Sequence, residues 1–309
     1  MISSPNAART GASGLPIICD YIDTTYSPVE APYPEVNTFL LGAGLVVTRE
    51  RSGRLMYRPP KGMGNGVVAI DHRAGFARFS ASGGICSVFR GQGVWEEYLS
   101  LLGTSPHKVT RVDAALDLPI DAADVIPSLC ARHPTGKANL SRKALAISRL
   151  VSVRDDGRES GTFYIGRHAK AARFTARVYD KSLEALQVRG EVLPTTTRFE
   201  VTACKDSGAT LRDAAQPEAL FWHIAAPALL QRPEGVPMWA KNQDLGWVSP
   251  PRTFNAAEVL QRRIESSAEL DALLQVADSM GASGRAYMLH LLTRRLNAQS
   301  SSEGLSEAV

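Results

Sequence analysis

The chain lacks the features that mark membrane and secreted proteins. It contains no uninterrupted apolar run of about 18 residues, the length that a membrane-spanning helix requires. Residues 1–15 are small and polar, so they lack the basic stretch followed by an apolar core that is typical of a secretory signal. From these two absences we expect a cytoplasmic protein with no membrane partner.

Cysteine is scarce, and histidine shows no metal-ligand spacing. The four cysteines lie far apart in the sequence and form no CxxC pair. This spacing indicates neither a zinc site of the usual pattern nor a disulfide framework. We therefore expect the cysteines to be buried thiols.

An excess of charge of one sign is also missing. The net charge is +4 and the isoelectric point is near 8.9, values that are compatible with a polyanionic partner but do not establish one. Hydrophobic residues make up 44% of the 309 positions, enough for a substantial core. The composition therefore excludes a wholly disordered chain.

Changes of composition predict four segments. Residues 1–15 and 297–309 are rich in small and polar residues without apolar periodicity, which predicts flexible tails. Pro250 and Pro251 form a natural boundary, so residues 16–250 are expected to form the main domain. Residues 251–296 then contain two amphipathic helical patterns, which predict a C-terminal helical segment.

The main domain shows strand and helix patterns in alternation. Between residues 36 and 90, short apolar runs separated by glycines predict antiparallel strands, including FLLGAGLVV and ICSVF. Further strands are predicted at 108–120, 162–166, 172–180 and 196–203, and helices at 94–102, after Asp121 and within 211–230. This order predicts an α+β fold with a mostly antiparallel sheet and helices on one face, and it is compatible with two similar halves.

Three of the predicted strands have one apolar face and one charged face. Side chains alternate between the two faces of a strand, so each strand can be sorted into two sets. The polar sets are Arg111, Asp113 and Asp117 on the first strand, Arg173, Arg177, Tyr179 and Lys181 on the second, and Arg198 and Glu200 on the third. An ordinary solvent-facing sheet surface would explain this pattern. Alternatively, the strands are neighbours and their polar faces merge into a site.

A merged face would suit phosphodiester chemistry. Asp113, Asp117 and Glu200 would supply oxygen ligands for Mg²⁺ or Mn²⁺. The arginines and Lys181 would hold phosphates, and Arg177 and Lys181 would lower the pKa of Tyr179, which shares their strand. A phenol activated in this way can attack a phosphodiester.

Four short motifs in order resemble the rolling-circle replication initiation factors of plasmids and filamentous phages, together with the related transfer relaxases. The motifs are TRVDAALD (110–117), TFYIGRHAKAARFTARVYDK (162–181), the LE that follows, and TRFEV (197–201). The resemblance implies a metal-dependent, site-specific nicking-closing endonuclease. It implies binding to single-stranded or supercoiled origin DNA, nicking of one strand through a tyrosine that stays joined to the 5′ phosphate, and rejoining.

The resemblance also implies roles for particular residues. Tyr179 matches the nucleophile segment, and Asp113, Glu200 and Asp117 match the metal-binding acidic positions. The paired histidines of other rolling-circle nucleases are absent here, as in a family that uses carboxylates instead. Arg167 stands where a serine often follows the glycine of the hairpin, and we expect Arg167 and Lys170 to join the DNA-binding cations.

Several alternatives stay open at this stage. Tyr164, on the partner strand of the same hairpin, is the rival nucleophile, and His168 is a candidate general acid or phosphate contact. The function itself has two alternatives, a non-catalytic origin or operator DNA-binding protein and a metal-dependent nuclease that activates water. A host helicase and a second copy of the chain are open as further partners.

Overall fold

The computed structural model describes residues 16–49, 54–73, 75–169, 171–241 and 268–303. The chain divides into two compact units, of which the first runs to residue 252 apart from residues 51–53 and the second comprises the rest. Lys170, residues 1–15 and the start of the predicted C-terminal helical segment, residues 251–267, lie outside the described residues.

The first unit consists of a large sheet and short helices. Its strands are β1 (Ile17–Tyr26), β2 (Val46–Arg49), β3 (Leu55–Arg58), β4 (Val68–Arg73), β5 (Phe76–Ser82), β6 (His107–Leu118), β7 (Lys137–Leu140), β8 (Lys143–Val153), β9 (Glu159–Ile165), β10 (Phe174–Asp180) and β11 (Thr197–Cys204). Its helices are α1 (Tyr33–Gly42), α2 (Gly83–Gln92), α3 (Trp95–Leu102), α4 (Ala122–Arg132), α5 (Lys181–Arg189), α6 (Leu211–Ala215) and α7 (Glu218–Ala225).

The described strands form one antiparallel sheet of eleven, in the order β2-β3-β4-β5-β1-β6-β11-β10-β9-β8-β7. The long strands β1 and β6 lie side by side at its centre, and each begins a half of similar composition. Each half continues with a helix and a run of strands and ends in two helices, α2 and α3 or α6 and α7, although α5 interrupts the strands of the second half before β11. The predicted α+β fold with a mostly antiparallel sheet is confirmed.

One hydrophobic core covers the apolar face of the sheet. It combines Ile22, Val112 and Val178 of the strands with side chains of α2, α4 and α7, among them Phe89 and Phe221. Asp121 caps α4 as its sequence position predicts, because its carboxylate accepts a hydrogen bond from the Ala123 backbone N–H at 2.8 Å. The polar face of the central strands lies outside this core.

Two apolar runs that we expected as strands are helical. FLLG belongs to α1 and ICSVF belongs to α2. Val36 and Leu40 are buried four residues apart, as are Ile85 and Phe89, so the apolar side chains follow the helical period instead of the strand period. Strands β1, β7 and β8 were not predicted, although β1 is central to the sheet.

The described part of the second unit contains two helices, α8 (Ala268–Ser279) and α9 (Ala282–Glu303). Arg285 of α9 donates to both carboxylate oxygens of Asp278 in α8, at 2.5 and 2.9 Å. Helix α9 continues through residues 297–303, which the sequence assigned to a tail. In the described part of the chain, no helix is long and apolar enough to cross a membrane.

Position 161 in β9 requires a glycine, because the backbone of β8 passes close to it. Its φ is +125°, and a Cβ there would lie 2.1 Å from the Leu150 carbonyl oxygen of β8. We expect Gly161→Ala to lower the free energy of unfolding by about 2 to 4 kcal/mol, measured by urea denaturation. Gly157→Ala is the matched control, because its φ is +80° but nothing lies within 4 Å of a Cβ. Equal losses in the two variants would contradict the role of the close approach.

Candidate functional site

The polar sides of four adjacent strands, β1, β6, β11 and β10, form one continuous surface that we call the charged face. Across β6 and β11, Asp113 lies opposite Thr202 and Asp117 lies opposite Arg198. Across β11 and β10, Glu200 lies opposite Arg177 and Arg198 lies opposite Tyr179. The strand pairing thus brings together the three polar sets that the sequence pattern indicated.

Asp113 and Glu200 are a buried pair of carboxylates on the charged face, 2% and 1% exposed. Arg111 donates to both oxygens of Asp113, at 2.8 and 2.5 Å, and Arg177 donates to one oxygen of Glu200 at 2.7 Å. Burial raises the pKa of Glu200 to about 7; Arg177 opposes this rise and Asp113 adds to it. Each carboxylate of the pair is balanced by one arginine, so a divalent cation would have to compete with these two ion pairs.

Asp117 lies apart from this pair. It stands four residues along β6 from Asp113, and both of its oxygens accept hydrogen bonds from Arg198 at 2.6 Å. Ala115, not Asp117, lies opposite Glu200.

In the described part of the chain, no three acidic, histidine or cysteine side chains converge as they would around a bound metal. The Asp113–Glu200 pair has the oxygen donors that Mg²⁺ or Mn²⁺ prefers.

Sequence reasoning missed the contribution of β1 to the charged face. Asp20 accepts a hydrogen bond from Arg198 at 2.8 Å, and Tyr21 lies opposite Asp113 with the Arg111 guanidinium 4.4 Å from its ring centroid. The β-branched and aromatic residues of IICDYIDTTY were a signal for this strand. The local sequence of β1 did not indicate that this strand pairs with β6.

Tyr179 lies among cations beside the carboxylate pair. The guanidinium of Arg177 is 5.0 Å and the ammonium of Lys181 is 5.7 Å from its ring centroid. The pKa of Tyr179 is nevertheless raised, first by burial and then by the charge of Glu200, while Arg198 and Arg177 lower it. Arg177 thus lowers the pKa as expected, but the net shift is upward because desolvation outweighs the cations.

The ends of β10 differ from the prediction. Lys181 is the first residue of α5 and not the last of the strand, and it forms an ion pair with Glu184 at 2.7 Å. Arg173 precedes the strand, which begins at Phe174. Arg173 is exposed, and no described residue forms an ion pair with it. Arg167 is also exposed and lies against the ring of Tyr164, at 4.7 Å.

Tyr164 of β9 lies on the same side of the sheet as Tyr179. It lies opposite Arg177 across β9 and β10, and opposite Ser148 across β8 and β9. It is therefore one strand farther than Tyr179 from β11, which carries Glu200. His168 is exposed in the turn between β9 and β10. Both tyrosines lie on the side of the sheet that carries the Asp113–Glu200 pair. Only Tyr179 is on a strand next to β11, which carries Glu200.

A polar network fixes the start of α5 directly after Tyr179. The Asp180 carboxylate caps this helix by accepting from the Leu183 N–H at 2.9 Å, and Ser160 donates to it at 2.7 Å. Arg154 forms an ion pair with Asp180 and another with Asp121 at 2.8 Å. These bonds connect the N-termini of α4 and α5, so the helix beside Tyr179 has a defined position.

The architecture defines the class of the chain as an α+β protein with a large antiparallel sheet and a charged, tyrosine-bearing face. No protein-family model matches the sequence, and no curated protein matches it. Among solved structures, the chain is similar to the rolling circle replication initiator protein from Geobacillus stearothermophilus, with 16% sequence identity and a TM-score of 0.44. That similarity covers 66% of this chain and 78% of the other chain.

Proposed function

We propose that the chain is a rolling-circle replication initiator that nicks one strand of origin DNA through Tyr179 and later rejoins it. The observation that carries this proposal is the position of Tyr179, whose ring lies beside Arg177 and Lys181 on the face that holds the buried Asp113–Glu200 pair. Cations hold a phosphate, and a tyrosine oxygen beside them is placed to attack it.

In the proposed reaction, the Tyr179 hydroxyl oxygen attacks the scissile phosphorus and loses its proton. The bond from phosphorus to the 3′ oxygen breaks, and that oxygen leaves as a 3′ hydroxyl after taking up a proton. Attack by a 3′ hydroxyl on the phosphotyrosine reverses these steps and rejoins the strand. Burial raises the pKa of Tyr179, and the positive charges of Arg198 and Arg177 oppose that rise, so these cations favour loss of the phenol proton.

Asp113 and Glu200 are the residues proposed to hold Mg²⁺ or Mn²⁺. A divalent cation bound there would supply charge stabilisation to the attacked phosphate. Arg111 and Arg177 occupy oxygens of both carboxylates, so each arginine would give up part of its ion pair when a cation binds. Arg177 would then be free to contact the phosphate.

The same ion pairs favour a second candidate function. If Arg111 and Arg177 stay bound to the carboxylates, the charged face is a DNA-binding surface without catalysis. The test is incubation with single-stranded DNA of randomised sequence and Mn²⁺, followed by denaturing electrophoresis. A covalent protein–DNA adduct supports the initiator, cleavage without adduct supports a nuclease that activates water, and binding without cleavage supports the second candidate.

The exposed cation Arg173 is expected to contact the DNA backbone. Arg173→Ala should lower the slope of log K against log salt by about one, because one phosphate contact is lost. Arg198→Ala should leave the slope unchanged, because Arg198 is 7% exposed and bound to Asp117 and Asp20. DNA-binding titrations at several salt concentrations measure both slopes. A slope change for Arg198 and none for Arg173 would contradict this assignment.

A further inference from the structure

A cavity of about 230 Å³ lies beside Tyr179, between the sheet and helix α5. Arg177 and Tyr179 of β10 and Thr162 of β9 line it from the sheet. Leu183 and Gln187 line it from the helix. Because Tyr179 forms part of its wall, whatever occupies the cavity is a direct neighbour of the phosphate that Tyr179 would attack.

The cavity has free hydrogen-bonding groups and an apolar side chain. The side chains of Thr162 and Gln187 form no hydrogen bond with any other described residue, and together they offer both donors and acceptors. Leu183, one turn before Gln187 on α5, adds apolar surface. This combination suits a flat, neutral heterocycle with polar edges.

The charges around the cavity differ from one side to the other. Arg177 is on the sheet side beside Tyr179, whereas the wall toward the start of α5 contains Asp180 and Glu184. These two carboxylates are ion-paired, Asp180 with Arg154 and Glu184 with Lys181, so that wall carries little net charge, whereas a phosphate would be attracted to Arg177. The part of the cavity at α5 therefore favours an uncharged group attached to a phosphate at Tyr179.

We propose that this cavity binds one unpaired nucleobase of the strand that is nicked, directly beside the scissile phosphate. Gln187 and Thr162 read its edge, and Leu183 packs against its ring. The inference rests on the proposed function, because it takes the phosphate to be at Tyr179. Bases that are unstacked into a protein pocket are recognised by such edge hydrogen bonds and ring contacts. The cavity makes single-stranded DNA the reacting form and gives the site a base preference.

The first experiment measures base preference at the nick. Randomised single strands are incubated with the full chain and Mn²⁺, and the covalent adducts and the released fragments are sequenced. The wild-type chain should show a preferred base beside the nick, and Gln187→Ala should reduce that preference by about tenfold. Leu186→Ala, one residue away on α5 and 47% exposed, is the matched control and should keep it. Equal preferences in wild type and Gln187→Ala would overturn the proposal.

The second experiment does not depend on cleavage. A single-stranded oligonucleotide of 4-thiothymidine is irradiated with the Tyr179→Phe chain, and the crosslinked residues are identified by mass spectrometry. We expect crosslinks at Thr162 or at positions 183–187, and we expect Gln187→Trp, which fills the cavity, to remove them. If the wild-type chain forms no adduct, the proposed function has failed, and crosslinks in the cavity would still support a base site. Crosslinks only elsewhere would overturn it.

Discussion

Tyr179→Phe is expected to remove covalent adduct formation while origin DNA still binds. The substitution keeps the ring between Arg177 and Lys181 and deletes only the attacking oxygen. The rate of adduct formation should fall by roughly 10³-fold or more, as expected when a nucleophile is lost. The hydroxyl has no hydrogen-bond partner among the described residues, so stability should change by less than about 1 kcal/mol. Adducts are measured by denaturing electrophoresis and binding by fluorescence anisotropy.

Tyr164→Phe is the matched control for this prediction. Tyr164 is on the same face and has its own cationic neighbour, Arg167, but it lies one strand farther from Glu200. We expect this variant to form adduct at a rate within about threefold of the wild type. If Tyr164→Phe loses the adduct and Tyr179→Phe retains it, the nucleophile is Tyr164. The rest of the charged face would keep its proposed role in that case.

Glu200→Gln is expected to abolish Mn²⁺ binding and to reduce nicking by at least about 100-fold. The amide keeps the shape of the side chain but removes one of two negative charges from the buried pair with Asp113. Glutamine is preferred to alanine because its amide oxygen can still accept the hydrogen bond from Arg177, whereas truncation would leave that guanidinium without its partner. Isothermal titration calorimetry with Mn²⁺ measures the binding, and unfolding in urea measures the stability.

Asp117→Asn is the control for the metal prediction. Both oxygens of Asp117 are bound to Arg198, and the side chain stands apart from the Asp113–Glu200 pair. We therefore expect Mn²⁺ binding in this variant to stay within about threefold of the wild type. Loss of Mn²⁺ binding in Asp117→Asn with retention in Glu200→Gln would place the metal at the other end of β6. Unaltered binding in both variants would leave the charged face without a metal role.

Much of the charged face was predictable because strand alternation is a local property. Side chains at i and i+2 of a strand share a face whatever the strand pairs with. The grouping of Arg111 with Asp113, of Arg177 with Tyr179, and of Arg198 with Glu200 therefore followed from their spacing. The cap of α4 at Asp121 was predictable for the same reason, since a capping side chain contacts backbone two or three residues away.

The participation of β1 was not predictable, because it depends on an irregularity. The pairing of β1 with β6 shifts register between Cys19 and Tyr21. This bulge lets two consecutive residues, Asp20 and Tyr21, contribute to the charged face, although regular alternation would separate them. Likewise, the run ICSVF could form a strand or a helix, and the burial of Ile85 and Phe89 in the core determined the helix.

By itself, the sequence determined which side chains share a face within each strand, since that depends only on the two-residue repeat of the extended chain. Only the tertiary structure decided that β11 lies between β6 and β10, which brings Glu200 between Asp113 and Arg177. It also decided the pKa of Tyr179, because the depth of burial depends on neighbouring strands and on α5. Strand order and desolvation arise from contacts between distant parts of the chain, and no local pattern encodes them.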